Sequence, residues 1–340
     1  AASIQQDRED AGAHHEAEPR VVEMGGLLHA LRKRDIPLWL KTPLKSLTLE
    51  QGRVTGAVVE RDGVAVTVSA RRGVLLAAGG FERNQAMREQ HLPQPTDQAW
   101  TATPPGCNTG DAITAGAEAG GALHLMAHSW GAPTLHVLKE EKFRALFVER
   151  SLPGCLVVNS RGERFVNESC PYPEFQQAMY ADHARSGAAI PAWIVFDAEF
   201  RRKYPIGPLP PGEAVPDERL RKSWLGAVYW KDGSLDGLAA QIGVDAAGLA
   251  ASVARMNEFA STGVDAQFGR GGNVFDRYYG DVNVKPDPNL APIGKPPFYA
   301  IRLWPGEIGT KGGLLTDADA RVLNAAGQPI EGLYCTGNNA

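Results

Sequence analysis

The sequence of 340 residues predicts an α/β fold in which a second domain is inserted into the first. Two apolar runs that end in glycine and lie far apart in the chain, residues 74–81 and 332–338, support this prediction. A strand end without a Cβ lets backbone amides approach a ligand closely. Two such ends indicate one large nucleotide cofactor held from both sides. A turn-rich composition from about residue 134 and a proline-rich segment over 285–297 indicate the insertion between them.

Apolar spacing predicts the elements of the first domain. Residues 1–20 are polar and are interpreted as a solvated linker, and an amphipathic helix is predicted over 21–34. Arg61-Asp62-Gly63 predicts a hairpin between two of the strands that follow. The predicted strands are 36–40, 42–49, 54–59, 64–68 and 73–78, with a helix over 83–90.

The inserted domain is predicted to mix short strands and helices. Strands are expected near 146–148 and 155–158, and helices near 174–180 and 246–259. A strand over 298–303 then returns the chain to the first domain. The predicted domains are therefore 1–133 with 298–340, incomplete at both ends, and 134–297 as the insertion.

The composition excludes several classes of protein. A net charge of −4 without a Lys/Arg cluster gives no footprint for nucleic acid. No apolar run approaches the ~20 residues of a membrane-spanning helix. The four cysteines are widely spaced and form no CxxC pair, so neither a metal site nor a disulfide framework is predicted. A reducing, cytoplasmic setting is the expectation.

The turn that usually opens a dinucleotide site is missing from the sequence. Such sites begin with a strand and a GxGxxG turn whose amides bind a pyrophosphate. The nearest glycine cluster, over 116–121, follows a helix and is interpreted as a helix end. Either the protein binds no dinucleotide, or the chain starts downstream of this turn. The lack of an initiating methionine favours the second explanation.

Four longer motifs carry a family resemblance: residues 77–82 (AAGGFE), a turn over 159–168, 170–175 (CPYPEF) and 305–313 (PGEIGTKGG). Together they resemble the flavoproteins of the fumarate-reductase type and, more narrowly, the 3-ketosteroid Δ1-dehydrogenases. The last two motifs are specific to the narrower family. The resemblance implies a Rossmann-like, glutathione-reductase-like FAD-binding domain with an inserted α+β catalytic cap domain.

The resemblance also implies FAD as the cofactor and the residues that contact it. Taken alone, the first glycine element could be only a tight strand-to-helix turn. The segment over 108–111 could be only a helix start, with Asn108 or Thr109 capping its first amides. The residues implied to contact FAD are Ala78, Gly79, Gly80, Asn108, Thr109, Gly110, Asp111, Gly337 and Asn338.

Tyr172 is the catalytic residue that the resemblance implies. A tyrosine between two prolines is more often a packed loop residue, but in this family the tyrosine of the segment faces the steroid. The implied reaction introduces a C1–C2 double bond into the A-ring of a 3-oxosteroid, with a hydride passed to the flavin and a proton to Tyr172. A tyrosine base needs neighbours that stabilise its phenolate. The implied partners are the steroid and a quinone-like or other electron acceptor.

The chain departs from the family pattern at its ends. Family members continue past the last glycine-asparagine motif into a Tyr-Pro-Gly-Pro-Gly segment, whereas this sequence stops at Ala340. A further active-site tyrosine is expected upstream of residue 1. We therefore expect the 340-residue chain to be inactive by itself.

Two rival hypotheses remain. A fumarate- or urocanate-type reductase would hold a carboxylate substrate with His and Arg, but Ala132-Pro133-Thr134 lacks the histidine of the usual segment and Lys311 interrupts a second motif. A fragment without bound flavin is the other rival, and the missing GxGxxG turn supports it directly.

Overall fold

The computed structural model describes residues 19–340, with side chains described from Met24 onward. This part of the chain forms two compact units, residues 19–43 with Val59–Val66, and Leu44–Val58 with Thr67–Ala340. The predicted linker lies almost entirely outside the described residues. The domain boundaries predicted at 133/134 and 297/298 stay a prediction.

The eight helices of the described residues are mostly short. Polar side chains and glycines set their ends: Asp245 accepts a hydrogen bond from Gly248 N (2.6 Å) at the start of the longest helix, and Gly263 ends it with φ +77°. The helices are α1 (Pro19–Lys33), α2 (Gln85–His91), α3 (Asp111–Glu118), α4 (Tyr172–Ser186), α5 (Ala198–Lys203), α6 (Leu235–Ile242), α7 (Ala246–Thr262) and α8 (Val274–Tyr278).

The strands of the described residues form four sheets. Their bounds are β1 (Leu44–Glu50), β2 (Arg53–Arg61), β3 (Val64–Ser69), β4 (Val74–Leu76), β5 (Leu123–His124), β6 (Ser129–Leu135), β7 (Arg144–Ala145), β8 (Cys155–Val158), β9 (Ala192–Phe196), β10 (Trp230–Asp232), β11 (Phe298–Thr310), β12 (Gly313–Leu314), β13 (Arg321–Leu323) and β14 (Pro329–Cys335). The sheet orders are β1-β2-β3, β7-β6-β11-β9-β8, β12-β5 and β13-β14-β4, with β10 also paired to β11.

The long strand β11 organises the largest sheet. Its first half pairs antiparallel with β9 and β10, and its second half pairs antiparallel with β6. Because side chains alternate between the faces of a strand, Tyr299 and Ile301 enter one hydrophobic core and Phe298 and Ala300 enter another. This strand therefore separates two cores and also carries residues 305–310 of the PGEIGTKGG motif.

Several predicted elements are confirmed. Asp62 and Gly63 have φ of 52° and 78°, as a two-residue turn between β2 and β3 requires. Strand β8 coincides with the predicted 155–158, and α7 contains the predicted 246–259.

Two predicted strands are wrong. Residues 36–40 form no strand, and Leu38 and Leu40 are exposed, so this apolar run has no sheet to join. Near 146–148, the strand β7 ends at Ala145 instead. Val148 has helical dihedrals (φ −111°, ψ −23°) and leads into the 3₁₀ turn Glu149–Ser151. An apolar run alone does not distinguish a strand from other buried backbone.

Candidate functional site

The two glycine-ended runs come together in the structure. Strand β14 lies parallel to β4, with Cys335 opposite Leu76, and Thr336 N donates to Leu76 O at 3.0 Å. Parallel strands end at the same edge of a sheet. Gly79 N accordingly donates to the side-chain Oδ1 of Asn339 at 2.7 Å.

The segment over 108–111 joins this edge. Gly110 N donates to Gly80 O at 3.1 Å, and Asn108 Nδ2 donates to Glu82 Oε1 at 2.6 Å. The expectation that Asn108 or Thr109 caps α3 is wrong, because the N-cap is Gly110 and no side chain caps the helix. Thr109 donates instead to Asp111 Oδ1 at 3.0 Å. The side chain of Asn108 is engaged by Glu82 rather than by the helix.

Contacts within the protein explain the need for glycine at 79 and 80. Gly79 has φ +84°, and a Cβ there would lie 2.5 Å from Asn108 Oδ1. A Cβ at Gly80 would collide with Thr310 Oγ1. The sequence suggested that these glycines let a ligand approach the backbone. At these two positions, the groups that approach closely are side chains of the protein itself.

Asn338 and Asn339 supply polar groups at the same edge. Asn338 Oδ1 accepts a hydrogen bond from Trp130 Nε1 at 3.3 Å, and Lys311 Nζ lies 4.2 Å from the centroid of the Trp130 ring. Asn339 is fully buried, and its Nδ2 has no partner among the described residues. Gly337 has φ +73° with open space where a Cβ would stand. A buried amide donor without a protein partner, two residues after an open backbone position, fits a ligand that is rich in hydrogen-bond acceptors, as a flavin nucleotide is.

Glu82 connects these elements, and sequence reasoning missed it. It is fully buried and accepts hydrogen bonds from Thr103 Oγ1 (2.8 Å), Asn108 Nδ2 (2.6 Å) and Thr310 N (3.3 Å). Thr310 in turn accepts from Phe81 N at 2.9 Å. One buried carboxylate thereby joins the strand end, the 108–111 segment and β11. The only sequence signal is the acidic residue directly after an apolar run.

A second buried carboxylate, Glu307, stands on β11. Arg88 Nη1 lies 2.6 Å from Glu307 Oε1, and both side chains are essentially inaccessible. Burial raises the pKa of Glu307, and the Arg88 guanidinium offsets this rise only in part. Glu307 precedes Thr310 by three residues on β11, so this ion pair anchors α2 to that strand. The strand supports the glycine edge, by which we mean the neighbouring residues 78–80, 108–111 and 337–339.

Tyr172 is the first residue of α4, after the N-cap Pro171. It lines a cavity of about 460 Å³, and its ring meets that of Phe147 edge-on at 5.1 Å between centroids. Arg150 is the only charged residue in the lining. The cavity is lined by Phe147, Val148, Arg150, Ser151, Pro171, Tyr172, Pro173, Phe275 and Tyr279. Such a wall suits a flat, apolar ligand.

A buried ionic cluster supports the wall of this cavity. Glu168 Oε2 lies 2.7 Å from Arg164 Nη2 and 3.3 Å from Arg270 Nη1, and Arg164 also pairs with Asp265 at 2.8 Å. Burial raises the pKa of Glu168, but the two guanidinium groups outweigh it, so the pKa lies below its usual value. Arg150 donates to the backbone oxygen of Glu168. The cluster therefore fixes the chain just before Tyr172.

Hydrogen bonds from Gln176 and Tyr180 join the Tyr172 helix to the strand that supports the glycine edge. Gln176, one turn after Tyr172, donates from Nε2 to Gly306 O at 2.7 Å. Gly306 precedes Glu307 on β11. Cavity wall and glycine edge thus share one strand as their support.

Within residues 19–340, no helix has the length and apolar character needed to cross a bilayer. The same residues contain no group of three His, Cys, Asp or Glu side chains placed to hold a metal ion. All four cysteines are free.

Comparison with known proteins shows to which family the chain belongs. The family model of the FAD binding domain matches residues 10–340. The 3-oxosteroid 1-dehydrogenase of Comamonas testosteroni is 47% identical over 93% of the chain and 55% of its own length. That of Mycobacterium tuberculosis is 40% identical over 93% of the chain and 56% of its own length. The chain therefore spans about half the length of the curated relatives it matches.

A solved structure is similar over the same region. The 3-ketosteroid Δ1-dehydrogenase of Sterolibacterium denitrificans, in complex with 1,4-androstadiene-3,17-dione, is 60% identical with a TM-score of 0.90 over 92% of the chain and 56% of that chain. The predicted resemblance, the α/β FAD-binding fold and FAD as the cofactor are confirmed. The chain belongs to the FAD binding domain family.

Proposed function

We propose that the protein introduces a C1–C2 double bond into the A-ring of 3-oxosteroids, with FAD as the hydride acceptor. The observation that carries this proposal is the position of Tyr172, on the wall of an apolar cavity of about 460 Å³. The similarity to 3-oxosteroid 1-dehydrogenases, at 47% identity to the enzyme of Comamonas testosteroni and 60% to the solved structure from Sterolibacterium denitrificans, supports the same reaction.

Tyr172 acts as the base in this proposal. The C3 carbonyl of the substrate acidifies the neighbouring C2–H bond, so a phenolate at Tyr172 can take the C2 proton. The hydride then leaves C1, and the electron pair of the broken C2–H bond forms the new double bond. When bound, FAD supplies the two-electron acceptor for this hydride. Phe147, in edge-on contact with Tyr172, restricts the ring to the cavity wall.

The glycine edge is the proposed cofactor site. Ala78–Gly80, Asn108–Asp111 and Gly337–Asn338 are proposed to contact FAD, and the free Nδ2 of Asn339 adds a donor. Glu82 follows the first of these segments in the chain and accepts a hydrogen bond from Asn108, so it holds the first two segments together before the ligand arrives. Preorganised donors lose less free energy when they bind.

A quinone-like or other acceptor is proposed to remove the electrons afterwards. Rapid mixing of the substrate-reduced protein with a soluble quinone and, separately, with dioxygen would compare the two acceptors by the return of flavin absorbance. A cytoplasmic setting remains our proposal, in keeping with four free cysteines.

The decisive experiment is Tyr172→Phe in an FAD-loaded version of the protein that is extended to the length of its relatives, because the 340-residue chain is expected to be inactive by itself. We expect turnover of a 3-oxosteroid with an artificial electron acceptor to fall by about 10²–10⁴-fold, because proton removal loses its base. Flavin absorbance and steroid binding should stay close to wild type, since the ring that lines the cavity is retained.

A matched control is available in the same cavity. Tyr279→Phe removes another hydroxyl from the lining and should reduce turnover by less than tenfold. Wild-type turnover in Tyr172→Phe would refute the assignment of the base. Loss of turnover in Tyr279→Phe alone would transfer that role to Tyr279.

A further inference from the structure

A second, smaller cavity is lined by a cation that has no ion pair within residues 19–340. It has a volume of about 160 Å³ and shares no lining residue with the Tyr172 cavity. Its lining residues are His136, Phe143, Ala227, Val228, Arg302 and Trp304. The cavity lies within the larger of the two units.

Arg302 is the charged residue of this lining. Its guanidinium carbon lies 4.8 Å from the ring centroid of Trp193 and 5.0 Å from that of Trp230. Its Nε is buried without a hydrogen-bond partner, and within residues 19–340 the side chain has neither an ion pair nor a hydrogen bond. Burial lowers the pKa of Arg302, and no acidic group opposes that shift.

Two fully buried arginines of the larger unit have carboxylate partners. Arg88 pairs with Glu307 and Arg164 with Glu168, at 2.6 and 2.7 Å. A cation that is partly removed from water without a counter-charge is unfavourable, and the indole faces beside Arg302 offset only part of this cost. An anion in the cavity would complete the compensation.

The walls and the volume define the class of anion. Phe143 stacks obliquely on His136 at 5.2 Å between centroids, and Trp304 forms a further aromatic wall. An apolar cavity of about 150 Å³ admits a single benzene ring. Guanidinium groups bind carboxylates through two parallel hydrogen bonds, and an imidazole can donate a third.

We propose that this cavity binds a small aromatic monocarboxylate, with the carboxylate on Arg302 and the ring between His136 and Trp304. This site is independent of the proposed dehydrogenation, because neither Tyr172 nor the glycine edge takes part in it. The neighbouring Trp193, Trp230 and Trp304 make binding visible as a change in tryptophan fluorescence.

The test is a fluorescence titration of the protein with benzoate and, in parallel, with benzamide, its neutral analogue. We expect saturable binding of benzoate, at least about tenfold tighter than that of benzamide, since a charge-assisted pair is worth more than a neutral one. Arg302→Met should abolish this preference. Arg302→Lys should keep part of it, because the charge remains but the two-pronged geometry is lost.

Two controls keep the result interpretable. Arg161→Met removes an exposed arginine outside the cavity lining and should bind benzoate as wild type does. If Arg302→Met fails to fold, as circular dichroism would reveal, the Arg302→Lys variant and the comparison of the two ligands in wild type decide the question. Equal affinity for benzoate and benzamide, or undiminished benzoate binding in either variant of Arg302, would overturn the proposal.

Discussion

Glu168 and Glu307 are both buried against arginine, yet their surroundings move their pKa values in opposite directions. Burial raises the pKa of each carboxyl. At Glu168, Arg164 and Arg270 together reverse this effect, whereas at Glu307 the single Arg88 does not, and Glu82 nearby adds a negative charge. The number of cations per buried carboxylate, rather than burial itself, decides which protonation state the fold favours.

The two carboxylates support different parts of the candidate site. Glu168 fixes the segment that leads to Tyr172, and the glycine edge depends on Glu307 only through β11. At that edge, the contacts are hydrogen bonds rather than ion pairs, such as Gly79 N to Asn339 Oδ1 and Asn108 Nδ2 to the carboxylate of Glu82. Ion pairs therefore stabilise the cavity wall, whereas hydrogen bonds stabilise the glycine edge.

The largest effect is expected at the cavity wall. Glu168→Gln leaves Arg270 without its carboxylate partner and Arg164 with Asp265 alone, so we expect the free energy of unfolding to fall by about 3–5 kcal/mol. Urea denaturation of purified protein measures this loss. Glu163→Gln removes an exposed carboxylate on the same turn and should change stability by less than about 0.5 kcal/mol. Equal stability of the two variants would show that the buried cluster does not support the wall.

The same substitution at Glu307 should reduce the free energy of unfolding by less than Glu168→Gln does. The change of this loss with pH should have the opposite sign. Glu307→Gln removes a charge that burial disfavours, which offsets part of the cost of leaving the buried Arg88 without its carboxylate partner, so we expect a loss of about 3 kcal/mol near neutral pH. Because the folded-state pKa is raised, the folded protein gains stability as pH falls from that pKa towards the ordinary value of ~4.3. The variant lacks this gain, so its deficit relative to wild type should widen on acidification.

Glu168 provides the contrast over pH. Its folded-state pKa is lowered, so its contribution is complete above ~4.3 and is lost as pH falls through the folded-state value. The deficit of Glu168→Gln should therefore be constant from pH 8 to 5 and shrink below ~4.3. Unfolding midpoints measured at several pH values distinguish the two patterns. Parallel pH profiles for the two variants would contradict our inference that two arginines lower the pKa of Glu168 whereas one arginine leaves that of Glu307 raised.

Local patterns account for the parts of the fold that could be predicted from the sequence. The Asp62–Gly63 turn and the α7 helix follow from short-range spacing and caps. The meeting of Gly79 and Asn339, 260 residues apart, could be anticipated only because both runs end in glycine. Glu82 and Glu307 could not be predicted, because a lone acidic residue normally marks the surface. Their partners, such as Arg88 at a separation of 219 residues from Glu307, are defined only by the folded chain.

The smallest change in stability is expected at the glycine edge. Asn339→Ala removes the acceptor of Gly79 N, so we expect a loss of about 1 kcal/mol in the free energy of unfolding. It also removes the unpaired Nδ2 donor, so the affinity for FAD should fall by about fivefold to tenfold if this donor binds the cofactor. FAD titration followed by flavin fluorescence measures that affinity.

An asparagine away from the edge gives the control for this last prediction. Asn283→Ala alters an exposed turn whose side chain bonds only to Asp281, so both stability and FAD affinity should stay near wild type. Unchanged FAD affinity in Asn339→Ala, together with the expected loss of stability, would make Asn339 a purely structural link between Gly79 and the end of β14. A fall in FAD affinity beyond what the stability loss explains would place its amide on the cofactor. The bound cofactor would then accept the hydrogen bond that the glycine edge leaves unpaired at Asn339 Nδ2, whereas the ion pairs of the cavity wall need no ligand.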